Sequence, residues 1–454
     1  MALIKSISGI RGTIGGKRGD NLTPVDIVES VAGFGAWILK KHPRATVVVG
    51  RDGRISGAMV SQLAIQTLVG MGIDVVDLGY STTPTVEMYV TKANAQAGII
   101  FTASHNPREW NALKFLNEKG EFISAQDGET ILEMINRGEL TFAPVDQLGE
   151  VTAANDAISY HIGAILDHAF VDKASIAEAG FYVVVDCINS TGSIAIPPLL
   201  DALGVKYDLI NEDVTGDFAH NPEPLPAHLA QLSETVVQKK AHMGISIDPD
   251  VDRLAFVCED GSVFGEEGTL VAIADYMLSK KSGNTVSNLS STRALADVTA
   301  KHGGSYFAAA VGEVNVVTMM KAHNALIGGE GNGGVIVPDL HYGRDAMAGI
   351  ALFLSYVAQQ QKSLSTLRDA LPQYTIIKDK LDVAGLDLDQ IFTQLKTAFR
   401  QEKLNDIDGL KIDFAEGWVH FRKSNTEPIV RIYAEARTAA EAQHLIDQVK
   451  AHIQ

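Results

Sequence analysis

Two cysteines in 454 residues, Cys187 and Cys258, are too few for a disulfide framework. Each follows an apolar strand-like run, YVVVDC and LAFVC, and both are expected to be buried, reduced thiols. Long apolar runs are equally scarce. The opening MALIKSISG has no signal-peptide core. The longest apolar stretch, around Ala346–Ala358, is too short for a bilayer and carries Gly349 and Ser355, so a buried helix is expected. These absences point to a cytoplasmic protein without a membrane partner. Basic clusters are missing too. The net charge is −17, which argues against gripping a nucleic-acid backbone. An anionic ligand would then need a local positive pocket, which directs attention to isolated arginines in glycine-rich loops. Low-complexity sequence is absent. The 46% hydrophobic content fits a folded chain of several domains.

What is present is an alternation of short Val/Ile runs with longer helical patterns, the mark of an α/β protein with buried strands. Three stretches follow one plan: a strand, a helical segment and a second strand ending in a polar loop. The first runs from ATVVVG at Ala45–Gly50 to Gly98–Phe101 and TASHNP. The second runs from YVVVD at Tyr182–Asp186 to Met243–Ile247 and DPDVDR. The third runs from Thr285–Leu289 to Ala325–Ile327 and GGEGNGG. From about 371 the pattern changes: YTIIKDKL, a helix over Leu388–Gln401, the alternating strands WVHFRKS and IVRIYAEA, and a helix from Thr438. That predicts a mostly antiparallel sheet with helices on one face. The expected domains are 1–150, 151–257, 258–370 and 371–454.

Four loops carry chemistry. In Thr102-Ala103-Ser104-His105-Asn106-Pro107, Ser104 lies just past a strand end, where open α/β sheets bind ligands. Its hydroxyl is able to take and return a phosphoryl group, although such residues also build capped turns. Asp248, Asp250 and Asp252 alternate at another strand end and suit one hard cation, Mg²⁺ or Ca²⁺. An EF-hand is excluded because Arg253 stands where its sharp turn needs glycine and Leu254–Cys258 reads as a strand. Arg253 is placed to meet a phosphoryl oxygen. Glu330 and Asn332, in the third loop, offer hydrogen bonds to vicinal hydroxyls, though a glycine-rich loop is also a flexible turn. The fourth loop, Arg422-Lys423-Ser424-Asn425-Thr426-Glu427-Pro428 with Arg431 beyond, is a phosphate cradle or a polar hairpin. Arg11, in Ser8-Gly9-Ile10-Arg11-Gly12, and Lys114, in Trp110-Asn111-Ala112-Leu113-Lys114, complete the set. A lysine desolvated beside cations loses pKa and becomes able to move protons.

Together, TASHNP with its trailing Asn-x-x-Lys, DPDVDR and R-x-S-N-T-E-P resemble the α-D-phosphohexomutase family along essentially the whole chain. SGIRG and Gly50–Arg54 (GRDGR) add to the match. The resemblance implies four domains around a central cleft, three related α/β domains with mixed sheets and a smaller C-terminal α+β domain. It implies that Ser104 is a phosphoserine and that Asp248, Asp250 and Asp252 bind one Mg²⁺ with a phosphoryl oxygen on Ser104. Arg11, His105 and Lys114 become candidates for proton transfer and phosphoryl contact. Glu330 and Asn332 recognise the sugar. Arg422, Ser424, Asn425 and Thr426 hold the phosphate that stays. The implied reaction interconverts hexose 6-phosphate and 1-phosphate, with a bisphosphorylated hexose as intermediate and activator, in a monomer or homodimer. Many bacterial members have Ser and His in the third loop where this chain has Asn332 and Gly334, and Glu313 stands where others carry a polar or basic group. The loop resembles a branch assigned to glucosamine phosphate, with glucose and mannose phosphates as alternatives. A Mg²⁺-dependent sugar phosphatase and a non-catalytic sugar-phosphate sensor are the competing readings.

Overall fold

A computed structural model describes residues 3–6, 9–382, 388–423 and 429–453. The chain divides into two units, residues 1–269 with 333–367, and residues 270–332 with 368–454.

In the first unit the valine run Thr46–Arg51 is an inner strand of a seven-stranded sheet. It is parallel to Asp74–Tyr80 and Ala97–Phe101. The sheet is mixed, because Trp110–Leu116 returns antiparallel to Ala97–Phe101 and then pairs antiparallel with Gly9–Thr13. Successive residues of a strand face opposite sides, and both sides are buried here. Val47, Val49, Ile99 and Phe101 join one core with residues of the helices Pro24–Lys41, Gly57–Gly70 and Ala125–Arg137. Val48 and Ile100 join a second core with Val86, Tyr89 and Val90 of the helix Thr83–Lys92. That is why the sequence reads as unbroken apolar runs.

A second mixed sheet of this unit runs in the order Leu254–Cys258, Met243–Ile247, Tyr182–Asp186, Lys206–Ile210. Met243–Ile247 is parallel to Tyr182–Asp186 and antiparallel to Leu254–Cys258. The apolar stretch at 346 is a helix, Ala346–Gln360, buried from Ala346 to Ala358 as its composition requires. Phe353 stacks on Phe256 at 3.7 Å between centroids and meets Phe264 edge-on. Burying one such ring contributes about 1.5–3 kcal/mol. Cys187 and Cys258 are both buried thiols, not joined in a disulfide.

In the second unit Asn284–Asn288 lies between Tyr306–Ala309 and Ala325–Glu330, parallel to both. Glu330, expected in a loop, is the last residue of its strand. The C-terminal part is an antiparallel sheet ordered Thr375–Asp382, Ile429–Ala436, Trp418–Lys423, Leu410–Asp413, Lys403–Asn405. Val430, Ile432, Ala434, Val419 and Phe421 share a core with Ile391, Leu395, Leu445 and Ile446 of the helices Leu388–Ala398 and Ala439–Lys450. The alternation predicts a solvated opposite face, yet Trp418, His420, Glu435 and Lys411 are buried there. The segment 289–293 covers them. Ser290 bonds the His420 ring, the Arg293 N–H donates to Glu435, and Lys411 Nζ donates to the Leu289 carbonyl.

Candidate active site

Ser104 follows the strand Ala97–Phe101, three residues past its end. Its backbone is left-handed, with φ of 49°, a strained choice for a residue with a side chain. The strain is held from two sides. The Ser104 N–H donates to Thr102 Oγ1 at 2.9 Å, and Thr102 Oγ1 donates to Asp52 Oδ2 at 2.6 Å. From the other side Arg54 grips the loop. Its guanidinium donates to the carbonyls of Ser104, Asn106, Pro107 and Trp110 at 2.6–2.8 Å, and its Nε to Asp52 at 3.1 Å. Ser104 is buried, and its Oγ donates to Asp248 Oδ2 at 2.7 Å. His105 Nδ1 stands 3.4 Å from Ser104 Oγ.

The three aspartates follow the strand Met243–Ile247 and are fully buried. Val251 between them has φ of 61°, an outlier for a β-branched residue, which turns the chain so that the carboxylates converge. One oxygen from each lies within 4.8 Å of the others. Asp248 Oδ1 accepts the N–H groups of Asp252 and Arg253, both at 3.0 Å. Asp250 Oδ2 accepts from Thr83 Oγ1 at 2.6 Å and from Lys114 Nζ at 2.8 Å. Asp252 Oδ2 accepts from Arg344 at 2.7 Å. Asp250 Oδ1 and Asp252 Oδ1 are buried without a hydrogen-bond partner among the described residues. Buried carboxylate oxygens left unpaired in so tight a group are the donor set a hard divalent cation takes, so the residues fit Mg²⁺.

The electrostatics agree. Burial and the neighbouring Asp252 and Asp250 charges push the Asp248 carboxyl well above its usual range. Burial also acts upward on Asp250, but Lys114, with Thr83, outweighs it and holds that carboxyl low. Lys114 does not lose pKa as the sequence suggested. Burial acts that way, but its immediate neighbours are Asp250 and Asp252, and they raise it. The His105 ring is pushed down to about 2 by burial, then by Arg253 and Arg344. Arg11 is lowered by burial and by the same two guanidiniums, which shows how closely the cations gather. Ser104, Arg11, Lys114, Arg253 and Arg344 line one cavity of about 100 Å³, room for several water-sized groups. Arg253 is also paired with Glu223 at 2.9 Å.

The second unit contains the remaining candidates. Glu330 is buried, and its Oε1 accepts from Asn288 at 2.9 Å and from the Gly312 N–H at 3.2 Å. Asn332 is half-buried two residues beyond the strand. Arg422 Nε donates to Asp408 Oδ2 at 2.8 Å, and the same oxygen accepts the Val311 N–H at 3.0 Å. Arg431 is directly opposite Arg422 in the strand register and is exposed. Ser424, Asn425 and Thr426 lie outside the described residues. Sequence reasoning gave no role to Asp52, Arg54, Thr83, Glu223 or Arg344. The first two were visible only within the GRDGR segment, and the others carried no signal.

A serine set on a carboxylate triad and ringed by cations, on loops at the strand ends of α/β layers, defines an enzyme of phosphoryl transfer. The chain belongs to the phosphoglucomutase/phosphomannomutase family, the α-D-phosphohexomutases, and is a sugar-phosphate mutase. Its alpha/beta/alpha domains I, II and III match at residues 3–142, 160–261 and 266–374, and its C-terminal domain at 380–452. The chain is 34% identical to a phosphoglucomutase/phosphomannomutase of Thermococcus kodakarensis, over 96% of each chain. It is 30% identical to a phosphoglucosamine/phosphogalactosamine mutase of Sulfurisphaera tokodaii, over 99% of each. The fold matches a crystal structure of a phosphoglucomutase/phosphomannomutase family protein from Burkholderia thailandensis. The TM-score is 0.85 at 24% identity, over 99% of this chain and 97% of that one. No helix among the described residues is long and apolar enough to cross a membrane.

Proposed function

We propose that this mutase interconverts glucosamine 6-phosphate and glucosamine 1-phosphate in the cytoplasm, with Ser104 as the phosphoryl carrier. The observation behind the reading is the Ser104 hydroxyl, 2.7 Å from Asp248 and lining the small cationic cavity. A bisphosphorylated hexose loads the serine. The free hydroxyl of a sugar monophosphate then attacks the phosphorus, the bond to Ser104 Oγ breaks, and the hydroxyl proton leaves by way of His105, Lys114 or Arg11, of which the charged Lys114 and Arg11 must first release a proton of their own. Reversing the transfer from the other phosphate of the bisphosphorylated sugar restores the phosphoserine. Arg11, Arg253 and Lys114 balance charge on the moving group, which is most of what phosphoryl transfer asks of a protein. Asp248, Asp250, Asp252 and an oxygen on Ser104 would hold one Mg²⁺, which when bound supplies neutralisation of phosphoryl charge.

Glu330 and Asn332 are assigned to the sugar hydroxyls. Arg422 and Arg431, with Ser424, Asn425 and Thr426, are assigned to the phosphate that stays. Glucosamine is favoured because the third loop lacks the Ser and His of many bacterial members and resembles a branch assigned to glucosamine phosphate. The relative in Sulfurisphaera bears a glucosamine name, whereas the one in Thermococcus bears glucose and mannose names. The test is turnover of the glucosamine, glucose and mannose phosphates side by side, with the matching bisphosphate present. Ser104→Ala should lose about 10²-fold or more in kcat. Turnover by that variant at near wild-type rate refutes the carrier role. Release of inorganic phosphate in step with substrate loss would indicate a phosphatase instead.

A further inference from the structure

The aspartate loop is held by two elements distant in sequence. One is the N-terminus of the helix Thr83–Lys92, where the Thr83 N–H donates to the Asp250 carbonyl at 2.9 Å and its hydroxyl to Asp250 Oδ2 at 2.6 Å. The other is the segment 341–346. There Arg344 donates to Asp252 Oδ2 at 2.7 Å, and the Ala346 N–H donates to the Val251 carbonyl at 3.2 Å. Both contacts depend on where these elements sit, so whatever fixes one against the other fixes the metal-binding oxygens.

Behind the loop the two elements meet in a buried charged cluster. Glu87 lies one helical turn beyond Thr83 on the same face. His341 is set between two carboxylates, with Nδ1 3.1 Å from Glu87 Oε2 and Nε2 3.3 Å from Asp345 Oδ2. Asp345 Oδ1 caps the helix Ala346–Gln360 through the N–H groups of Met347 and Ala348, at 2.9 and 3.0 Å. His161 adds a strut, with Nε2 2.8 Å from Asp345 Oδ2 and Nδ1 2.9 Å from Thr85 Oγ1. Glu87, His161 and Asp345 are at most 1% exposed. Gly343 is what lets the segment come so close, since a Cβ there would lie 1.8 Å from Glu87 Oε2.

We propose that Glu87, His341 and Asp345 form an electrostatic clamp that positions Thr83 and Arg344, and through them sets the divalent-cation affinity of the aspartate loop. The proposal rests on the reading that Asp250 and Asp252 hold the metal. His341 in this place is an imidazolium set between two carboxylates, its Nε2 hydrogen-bonded to Asp345 and its Nδ1 paired by charge with Glu87. Burial acts against its charge, but Asp345 and Glu87 outweigh burial and raise its pKa to about 10. A neutral histidine would leave the buried Glu87 carboxylate without its nearest counter-charge, at high cost. Both nitrogens of His161 are served by Thr85 and Asp345, whereas His341 Nδ1 and both Glu87 carboxylate oxygens make no hydrogen bond among the described residues, so charge alone ties His341 to Glu87.

Mn²⁺ binding to the full-length protein, read by paramagnetic resonance, tests this without turnover. Removing outer partners of metal ligands typically costs about 10–100-fold in affinity. His341→Gln and, separately, Glu87→Gln should weaken Mn²⁺ at least about tenfold by that rule. The Mg²⁺ concentration for half-maximal turnover should rise in step, while KM for the sugar phosphate at saturating Mg²⁺ stays put. In the double variant Glu87→Gln/His341→Gln the leftover charge is gone, and affinity should recover most of the way. A plain packing fault lowers the melting temperature without this pattern. Glu87→Gln keeps the test open if His341→Gln fails to fold. Unchanged Mn²⁺ affinity in Glu87→Gln, or loss without recovery in a folded double variant, overturns the clamp. So does a tightly held metal in the wild type that disappears in His341→Gln, because the cluster would then be a metal site itself. Asp250→Asn separates the two ideas: if it binds Mn²⁺ normally, the metal-loop reading has failed.

Discussion

Arg54 offers the sharpest test of how the serine loop is held. A guanidinium has five N–H donors. Here all five are used, four on the carbonyls of Ser104, Asn106, Pro107 and Trp110 and one on Asp52. The side chain and Asp52 are both fully buried. Arg54→Lys keeps the charge but replaces a planar fork with a point donor of three N–H groups, so at least two bonds are lost. At about 1.5 kcal/mol for each charge-assisted bond, the loss is about 3 kcal/mol. If it appears in the placement of Ser104, kcat/KM falls about 10²-fold. Arg54→Met goes further and leaves the Asp52 carboxylate buried and unpaired, a fault worth about 3–5 kcal/mol. The double variant Asp52→Asn/Arg54→Met removes that charge. It should regain thermal stability but not turnover, because the loop still lacks its grip. The assay is kcat/KM on the sugar phosphate beside a thermal melt. Arg54→Lys within threefold of wild type, or recovery of both stability and turnover in the double variant, refutes the reasoning.

Lys411 predicts a pH dependence. It is buried under Trp418, 4.2 Å from the ring centroid, and donates to the Leu289 carbonyl. Burial pushes its pKa down to about 8, against the opposing pull of Asp413 and Glu435. An unfolded lysine titrates near 10.4, so between about pH 8 and 10.4 the unfolded chain holds a proton that the folded one has lost. That contribution makes stability rise with pH in the window. The urea midpoint of wild type should therefore rise relative to that of Lys411→Met from pH 8 upward, and parallel profiles refute the assignment. Cys187 and Cys258 should both resist a thiol reagent until the chain unfolds, since both are buried and burial raises the Cys187 thiol further out of reach. Fast labelling of native protein contradicts this.

Ser104 and the three aspartates were legible because each group is contiguous in sequence and sits just after an apolar strand. The parallel strands were legible because both faces are buried, so Val47, Val48 and Val49 leave an unbroken run. Contacts across long sequence gaps left no such trace. Arg54 reaches a loop about fifty residues on, and Arg344 meets Asp252 ninety-two residues back. No local pattern encodes either pairing. Lys114 was placed in the right neighbourhood, but the sign of its shift depends on which charges touch it. The alternation of Val430, Ile432 and Ala434 revealed one face of the last sheet. It did not reveal that Ser290 and Arg293 bury Trp418, His420 and Glu435 on the other. Glu427 and Pro428, in the cradle motif, lie outside the described residues.

The bond from Ser104 to Asp248 bears on the order of events. In the free hydroxyl form the serine proton satisfies Asp248 Oδ2, and the carboxyl is already pushed upward by burial and by Asp252 and Asp250. Phosphorylation removes that proton and brings an additional charge of about −1.5 to −2 to hydrogen-bonding distance of a buried carboxylate. Two anions cannot rest there without compensation. Lys114 is already committed to Asp250, Arg344 to Asp252 and part of Arg253 to Glu223, which leaves Arg11 and the rest of Arg253 to meet the phosphoryl charge. The unpaired oxygens Asp250 Oδ1 and Asp252 Oδ1 face the opposite shortage. On the proposed reading a divalent ion held by the aspartates would meet both needs together, with Arg11 and Arg253 sharing the phosphoryl charge. Metal affinity and serine phosphorylation are then thermodynamically linked: each should strengthen the other by the same factor. The hydroxyl form, with Asp248 served by the serine itself, is the state that can spare the metal.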